Sequence, residues 1–206
     1  MVNPFRTAIF AGVAAMAAVV VTSNILVQYP VAATLGGVNL ADVLTWGAFT
    51  YPLAFLVTDV VNRTFGPETA RRVALAGFAI AVVMSVALAS PRIAIASGSA
   101  FLAAQLLDVA LFQRLRDGAW WRAPLVSSVV ASALDTALFF SLAFSAAIPF
   151  GIDGFATETV PLFGIANAAE APRWVSWALA DFCVKLLVAA AALGPYRILT
   201  ERLSRS

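Results

Sequence analysis

Five ionisable side chains fall inside long apolar stretches of this sequence: Asp59, Asp108, Asp135, Asp181 and Lys185. A charge at the centre of a membrane span costs about 2.5–3.5 kcal/mol on insertion scales, so such residues face a bundle interior or a wet cavity. Neutral polar side chains recur beside them at helical spacing. Ser128, Ser132 and Asp135 share one helix face, as do Gln105 with Asp108, Asn24 with Gln28, and Asp59 with Asn62. Trp174, Trp177, Asp181 and Lys185 form a further stripe. Inward-facing stripes of this kind build a polar, ligand-sized interior. Some of these residues also have local partners that would make them structural. Asp181 and Lys185 are four apart and can neutralise each other, Asp59 can reach Arg63, and Ser128 and Ser132 can bond back to their own helix. Asp108 and Asp135 have no cation within a helical turn and are the sharper ligand candidates.

Other chemistries are excluded by composition. The chain has no His and a single cysteine, Cys183, in an apolar run that predicts a small buried hydrophobe. Ser–His hydrolysis, imidazole proton relays, disulfide frameworks and multi-Cys metal clusters therefore have no residues to work with. No GxxxxGK[ST] phosphate loop is present. A net charge of +2 provides no basic field for nucleic acid. The expectation is a protein that is not an enzyme, with no cofactor and no metal.

The elements that position the polar stripes are membrane helices. Hydrophobic residues make up 62% and charged residues 12% of the chain, against about 45–50% and about 25% in soluble domains. One integral membrane domain over 1–206 is expected, all-α, with spans at about 7–27, 43–61, 73–89, 93–115, 124–147 and 174–196. The first stretch is too long for a signal peptide and lacks a small-x-small cleavage site. With the N-terminus inside, cytoplasmic segments hold Arg6, Arg63, Arg71, Arg72, Arg114, Arg116, Arg122, Arg197, Arg202 and Arg205, while outer segments hold only Arg92 and Arg173. That bias predicts both termini in the cytoplasm of a bacterial inner-membrane protein. Tyr29, Trp46 and Trp174 near one interface and Trp120, Trp121 and Tyr196 near the other agree with these boundaries. The loop 148–173 reads as an ordinary surface connection. Small-residue helix faces allow a homodimer.

The order of several motifs resembles the VUT family of membrane proteins, the queuosine-precursor transporters. The residues that carry the resemblance are Phe55-Leu-Val-Thr-Asp-Val-Val-Asn62, Phe65-Gly66, Arg71-Arg72, Arg92-Ile-Ala, Gln105-Leu-Leu-Asp108, Phe112-Gln-Arg-Leu-Arg116, Ser132-Ala-Leu-Asp135-Thr-Ala-Leu-Phe-Phe140 and Asp181-Phe-Cys-Val-Lys185. The resemblance implies a six-helix importer of 7-cyano- and 7-aminomethyl-7-deazaguanine, distantly similar to the substrate-binding subunits of energy-coupling-factor transporters. A non-transporting scaffold, or a binding subunit that needs an energising partner, is the alternative. A deazaguanine presents adjacent N–H donors that one carboxylate can accept together, a carbonyl for an amide, and a flat face for an aromatic ring. Asp135, Gln105, Asp108, Asn24, Asp59, Asn62, Asp181, Lys185, Phe139 and Trp177 are the candidate substrate-binding residues.

The arginine bias is checked by reporter fusions. A fusion at Ser206 should read cytoplasmic and one within 150–161 periplasmic. A periplasmic C-terminus would contradict the six-span arrangement.

Overall fold

A computed structural model describes residues 4–203. Arg205 and Ser206 lie outside the described residues, as does the side chain of Arg6. The chain is a helical bundle with two small hairpins at one end. In order, α1 (Pro4–Leu26) is followed by β1 (Thr34–Leu35) and β2 (Val38–Asn39), then α2 (Gly47–Thr50), α3 (Leu53–Phe65), α4 (Pro67–Leu88), α5 (Pro91–Leu115) and α6 (Arg122–Phe144). After them come α7 (Gly154–Thr157), β3 (Thr159–Pro161), β4 (Glu170–Pro172) and α8 (Arg173–Leu203). Each hairpin is antiparallel. The β1–β2 turn uses Gly36 and Gly37 at φ 57° and 83°, a two-residue turn that needs left-handed backbone at both positions.

Among the described residues, α1, α4, α5, α6 and α8 are long and apolar enough to cross a membrane. The expected span at 43–61 is not one regular α-helix; it is built from α2 and α3 with a tightened joint between them. Pro52 has no N–H to donate, so the backbone tightens: Ala54 N–H donates to Tyr51 O at 3.0 Å and Phe55 N–H to Pro52 O at 3.1 Å. Tyr51 and Pro52 nevertheless keep right-handed dihedrals. The winding therefore runs unbroken from Gly47 to Phe65, about 28 Å at helical rise. At the far end of α3, Gly66 at φ 84° reverses the chain and Pro67 opens α4. The last helix is longer than expected, continuing past Tyr196 to Leu203 with Pro195 inside it.

Neighbours in space follow a simple order: α1 on α4, α4 on α5, α5 on α6, α6 on α8. The short α3 touches all five of these helices and closes the arc. Small residues let α1 come close. A side-chain carbon on Gly77 would lie 2.5 Å from Met16 Cγ, and Met16 is fully buried. Cys183 is on the exposed face of α8, which corrects the expectation of a buried position; with Val184 and Lys185 turned inward, its position in the helical repeat points away from the bundle.

Two further expectations change in the structure. The segment 148–173 is an organised cap. Asp153 Oδ1 accepts the N–H groups of Phe155 and Ala156 at the start of α7, and Arg173 pairs with Glu158 across the β3–β4 end. Arg92 is no loop charge. It sits in the first turn of α5, 4% exposed, with its guanidinium donating to Leu142 O (2.8 Å), Phe150 O (2.8 Å) and Ser145 O (2.6 Å). The last carbonyls of a helix lack partners, and Arg92 satisfies those at the end of α6. Arg92→Ala should destabilise the purified protein by about 2 kcal/mol, since it removes three charged hydrogen bonds that a buried guanidinium makes to part-buried carbonyls. Denaturant unfolding in detergent measures this; a change under about 0.5 kcal/mol, the usual range for surface substitutions, would contradict the assigned role.

Candidate functional site

The polar residues gather where α3 meets α5, α6 and α8, in two groups at different depths. The first is centred on α3. Thr58 Oγ1 donates within its own helix and lies 3.0 Å from Gln105 Oε1 and 3.4 Å from Asp108 Oδ2 of α5. Ser128 of α6 donates to Asp59 Oδ2 at 3.3 Å. Asn62 Nδ2 donates to Val109 O at 3.1 Å. All of these side chains are buried, none more than 5% exposed. The carboxyls of Asp59 and Asp108 face each other, with Ser127 beside both.

The second group joins α6 to α8. Lys185 Nζ lies 2.6 Å from Asp135 Oδ2, 2.5 Å from Asp181 Oδ2 and 2.9 Å from Thr136 Oγ1. Thr136 in turn donates to Asp181 at 2.8 Å, and the Tyr51 hydroxyl to Asp135 Oδ1 at 3.4 Å. The Lys185 ammonium also lies 5.7 Å from the Tyr51 ring centroid, within cation–π range. Tyr51 comes from the α2–α3 joint, so the tightened turn supplies a partner to the ion cluster.

These contacts order the interior into layers. Along α5, Phe101, Gln105, Asp108 and Phe112 are spaced by four, three and four residues, so they stack up one face. Phe101 meets the Tyr51 ring edge-on at 5.9 Å, and Phe112 meets Tyr196 at 6.2 Å. Aromatic pairs thus close both ends of a polar column. Beside it, between α3, α6 and α8, runs a narrow crevice lined by Phe55, Asp59, Ser128, Ser132, Ala189 and Tyr196. Its free volume is about 10 Å³, room for about one water molecule. Tyr196 separates it from a wider hollow of about 460 Å³ at the arginine-rich end, lined by Arg63, Trp120, Arg197 and Thr200.

Seven of the ten sequence candidates meet here: Asp59, Asn62, Gln105, Asp108, Asp135, Asp181 and Lys185. The pairing of Asp181 with Lys185 is as expected. The isolation of Asp135 is not: its cation comes from α8, fifty residues further along. Asp59 does not bridge to Arg63, whose guanidinium instead reaches Arg116 O at 2.7 Å. Three candidates lie elsewhere. Asn24 bonds back to Val20 O on its own helix. Trp177 is held in the cap, donating to Asp42 O at 2.9 Å and packing on Phe144 and Phe155. Phe139 packs edge-on against Phe140 and Phe144. Sequence reasoning missed Tyr51, Thr58 and Thr136 as members. Thr58 had a signal, one turn before Asn62 on the same face.

A bundle of long apolar helices around a buried polar column defines a multi-pass membrane protein. The family model described as "Putative vitamin uptake transporter" matches residues 45–90 and 83–199. The chain is 33% identical to the "Queuosine precursor transporter" of Escherichia coli (strain K12), covering 82% of this chain and 76% of that protein. It is 37% identical to the "Probable queuosine precursor transporter" of Haemophilus influenzae (strain ATCC 51907 / DSM 11121 / KW20 / Rd), over 64% of this chain and 68% of the relative. No solved structure matches the chain. The chain belongs to the vitamin uptake transporter family, the VUT family anticipated from its motifs.

The ion cluster has a measurable consequence. Lys185→Met leaves buried Asp135 and part-buried Asp181 without a cation, which should cost about 3–5 kcal/mol. Adding Asp135→Asn should recover part of that loss, with a coupling of about 1 kcal/mol or more in a double-substitution cycle scored by unfolding in detergent. Strictly additive losses would show that the two side chains act independently.

Proposed function

We propose that this chain imports queuosine precursors, 7-cyano- and 7-aminomethyl-7-deazaguanine, across the bacterial inner membrane. The observation that carries this reading is the 33% identity, over 82% of the chain, to a protein named for that transport. In this reading the chain crosses the membrane six times, with the α2–α3 element as the second crossing and both termini in the cytoplasm. A six-crossing bundle also fits the distant likeness to the substrate-binding subunits of energy-coupling-factor transporters. The arginine distribution supports the orientation: Arg63, Arg116, Arg122 and Arg197 gather at one end of the bundle, while Arg92 and Arg173 at the other are tied up by carbonyls and Glu158.

The column's chemistry suits the solute. Asp135 accepts the adjacent N–H donors of the base, a charge-assisted pair that is strong in a dry site. Gln105 serves the carbonyl, and Phe55 offers an aromatic face beside Ser132, whose hydroxyl is buried without a partner. A deazaguanine is far larger than one water, so α8 must move away from α3 and α6 to admit it. Lys185 then gives up part of its contact with Asp135 while keeping Asp181.

Cells expressing the chain should accumulate labelled 7-cyano-7-deazaguanine. In purified protein, Asp135→Asn turns half of the acceptor into a donor facing donors. Affinity should fall about 5- to 150-fold, the equivalent of about 1–3 kcal/mol. Lys185 retains Asp181 at 2.5 Å, so the variant should remain folded. Unchanged binding in Asp135→Asn would place the base elsewhere, and absence of uptake in the parent would contradict the transport reading.

A further inference from the structure

The Asp59–Asp108 pair has no part in the recognition described above, and its surroundings are unusual. Both carboxyls are buried, 2% and 0% exposed, on adjacent helices, facing each other. Asp59 Oδ2 accepts from Ser128, and Asp108 Oδ2 lies 3.4 Å from the Thr58 hydroxyl. Each has the other oxygen, Oδ1, buried with no hydrogen-bond partner. The hydroxyl of Ser127 and the Oδ1 of Asn62 beside them are also unpartnered. A buried acceptor without a donor costs about 1–3 kcal/mol, more when it is charged. Two facing carboxylates in a dry interior cannot both stay ionised without a cation between them.

Among the described residues, no protein cation fills that role. On α3, Arg63 is one turn away but donates to Arg116 O. On α5, Arg116 bonds Gln113 at the helix end and Arg114 is exposed. From α8, Tyr196 presents only its phenol and Lys185 is committed to Asp135 and Asp181. On α6, Arg122 is exposed at its start, and on α4 Glu68, Arg71 and Arg72 are exposed in its first turns. The described part of α1 that packs on α3 and α4, residues 9–26, contains no charged residue.

We propose that Asp59 and Asp108 hold one exchangeable proton between them, and that its movement across the membrane drives import. The proton bonds to one orphaned Oδ1 and is accepted by the other, leaving the pair with a single negative charge. Release breaks that O–H bond and hands the proton to water in the crevice that Asp59 lines. Thr58 links this site to the solute, because its hydroxyl touches both Gln105 Oε1 and Asp108 Oδ2. A base that engages Gln105 shifts Thr58 and so changes what Asp108 is bonded to. The coupling half of this proposal rests on the transport reading above; the proton site does not.

Two measurements separate those halves. The infrared spectrum of the reconstituted protein should show a protonated carboxylic acid C=O band near neutral pH that is lost in the double variant Asp59→Asn/Asp108→Asn. A parent spectrum without that band would overturn the proton site. In proteoliposomes, counterflow of labelled 7-cyano-7-deazaguanine tests transport alone. If counterflow occurs, an imposed gradient of one pH unit should yield up to about tenfold accumulation at one proton per solute. A sodium gradient should yield none. Whatever counterflow the double variant retains should be indifferent to the pH gradient. Accumulation driven by sodium, or parent counterflow that ignores the pH gradient, would overturn proton coupling while leaving transport standing. Absent counterflow would overturn the transport reading and the coupling with it, and the infrared band alone would then decide the proton site.

Discussion

Hydrocarbon gives a polar side chain no water to bond, so a buried donor or acceptor in this bundle depends on its own helix or a neighbouring one for a partner. That constraint explains why the shortest of the main helices is the most connected. Among the described residues, α3 touches each of the five long helices, and its polar residues are the ones that satisfy, or fail to satisfy, polar groups on α5 and α6. The joint at Pro52 belongs to the same logic. By tightening the backbone between α2 and α3 it brings Tyr51 to both Phe101 and Asp135. The apolar packing around Met16, Val73 and Phe101 holds α1 and α4 behind this column.

Much of this was legible in the sequence. The helices, the buried faces and the charged members of the column follow from hydropathy and from spacings of three and four. Ser128, Ser132 and Asp135 do share a buried face, and Asp181 does reach Lys185. Pairings between helices were not legible, because helical periodicity says which way a residue faces but not what it meets. Lys185 and Asp135 are 50 residues apart, Thr58 and Gln105 are 47 apart, and Tyr51 and Asp135 are 84 apart. Asp135 therefore looked isolated when it shares the Lys185 ammonium with Asp181. Trp177 shared a stripe with Asp181 but lies a turn higher, where the cap claims it. Arg92 looked like a loop residue because a Pro-opened helix begins just before it.

The column divides its work by depth. Near the cap, the cluster of Asp135, Asp181, Thr136 and Lys185 sets one cation against two carboxylates and bridges α6 to α8. Nearer the arginine-rich end, Asp59 and Asp108 are unbalanced, and each keeps an acceptor unmet. Between them the crevice closes to the size of a water molecule, with Tyr196 standing between it and the wide hollow beyond. An importer at rest with its interior shut has this form: a seam between α8 and the α3–α6 pair that can open, and a polar lining that waits behind it. The exposed, apolar remainder of α8, including Leu179 and Leu187, lets that helix slide against lipid at little cost, since hydrocarbon is as apolar as they are.

A structure of the purified protein with 7-cyano-7-deazaguanine bound tests the central claim most directly, that the buried column is where the solute is held. The expected result is density for the base between α3, α6 and α8, its donor edge on Asp135 and its face near Phe55, with α8 displaced outward. Density confined to the hollow lined by Trp120 and Arg197, with the column still shut, would contradict it.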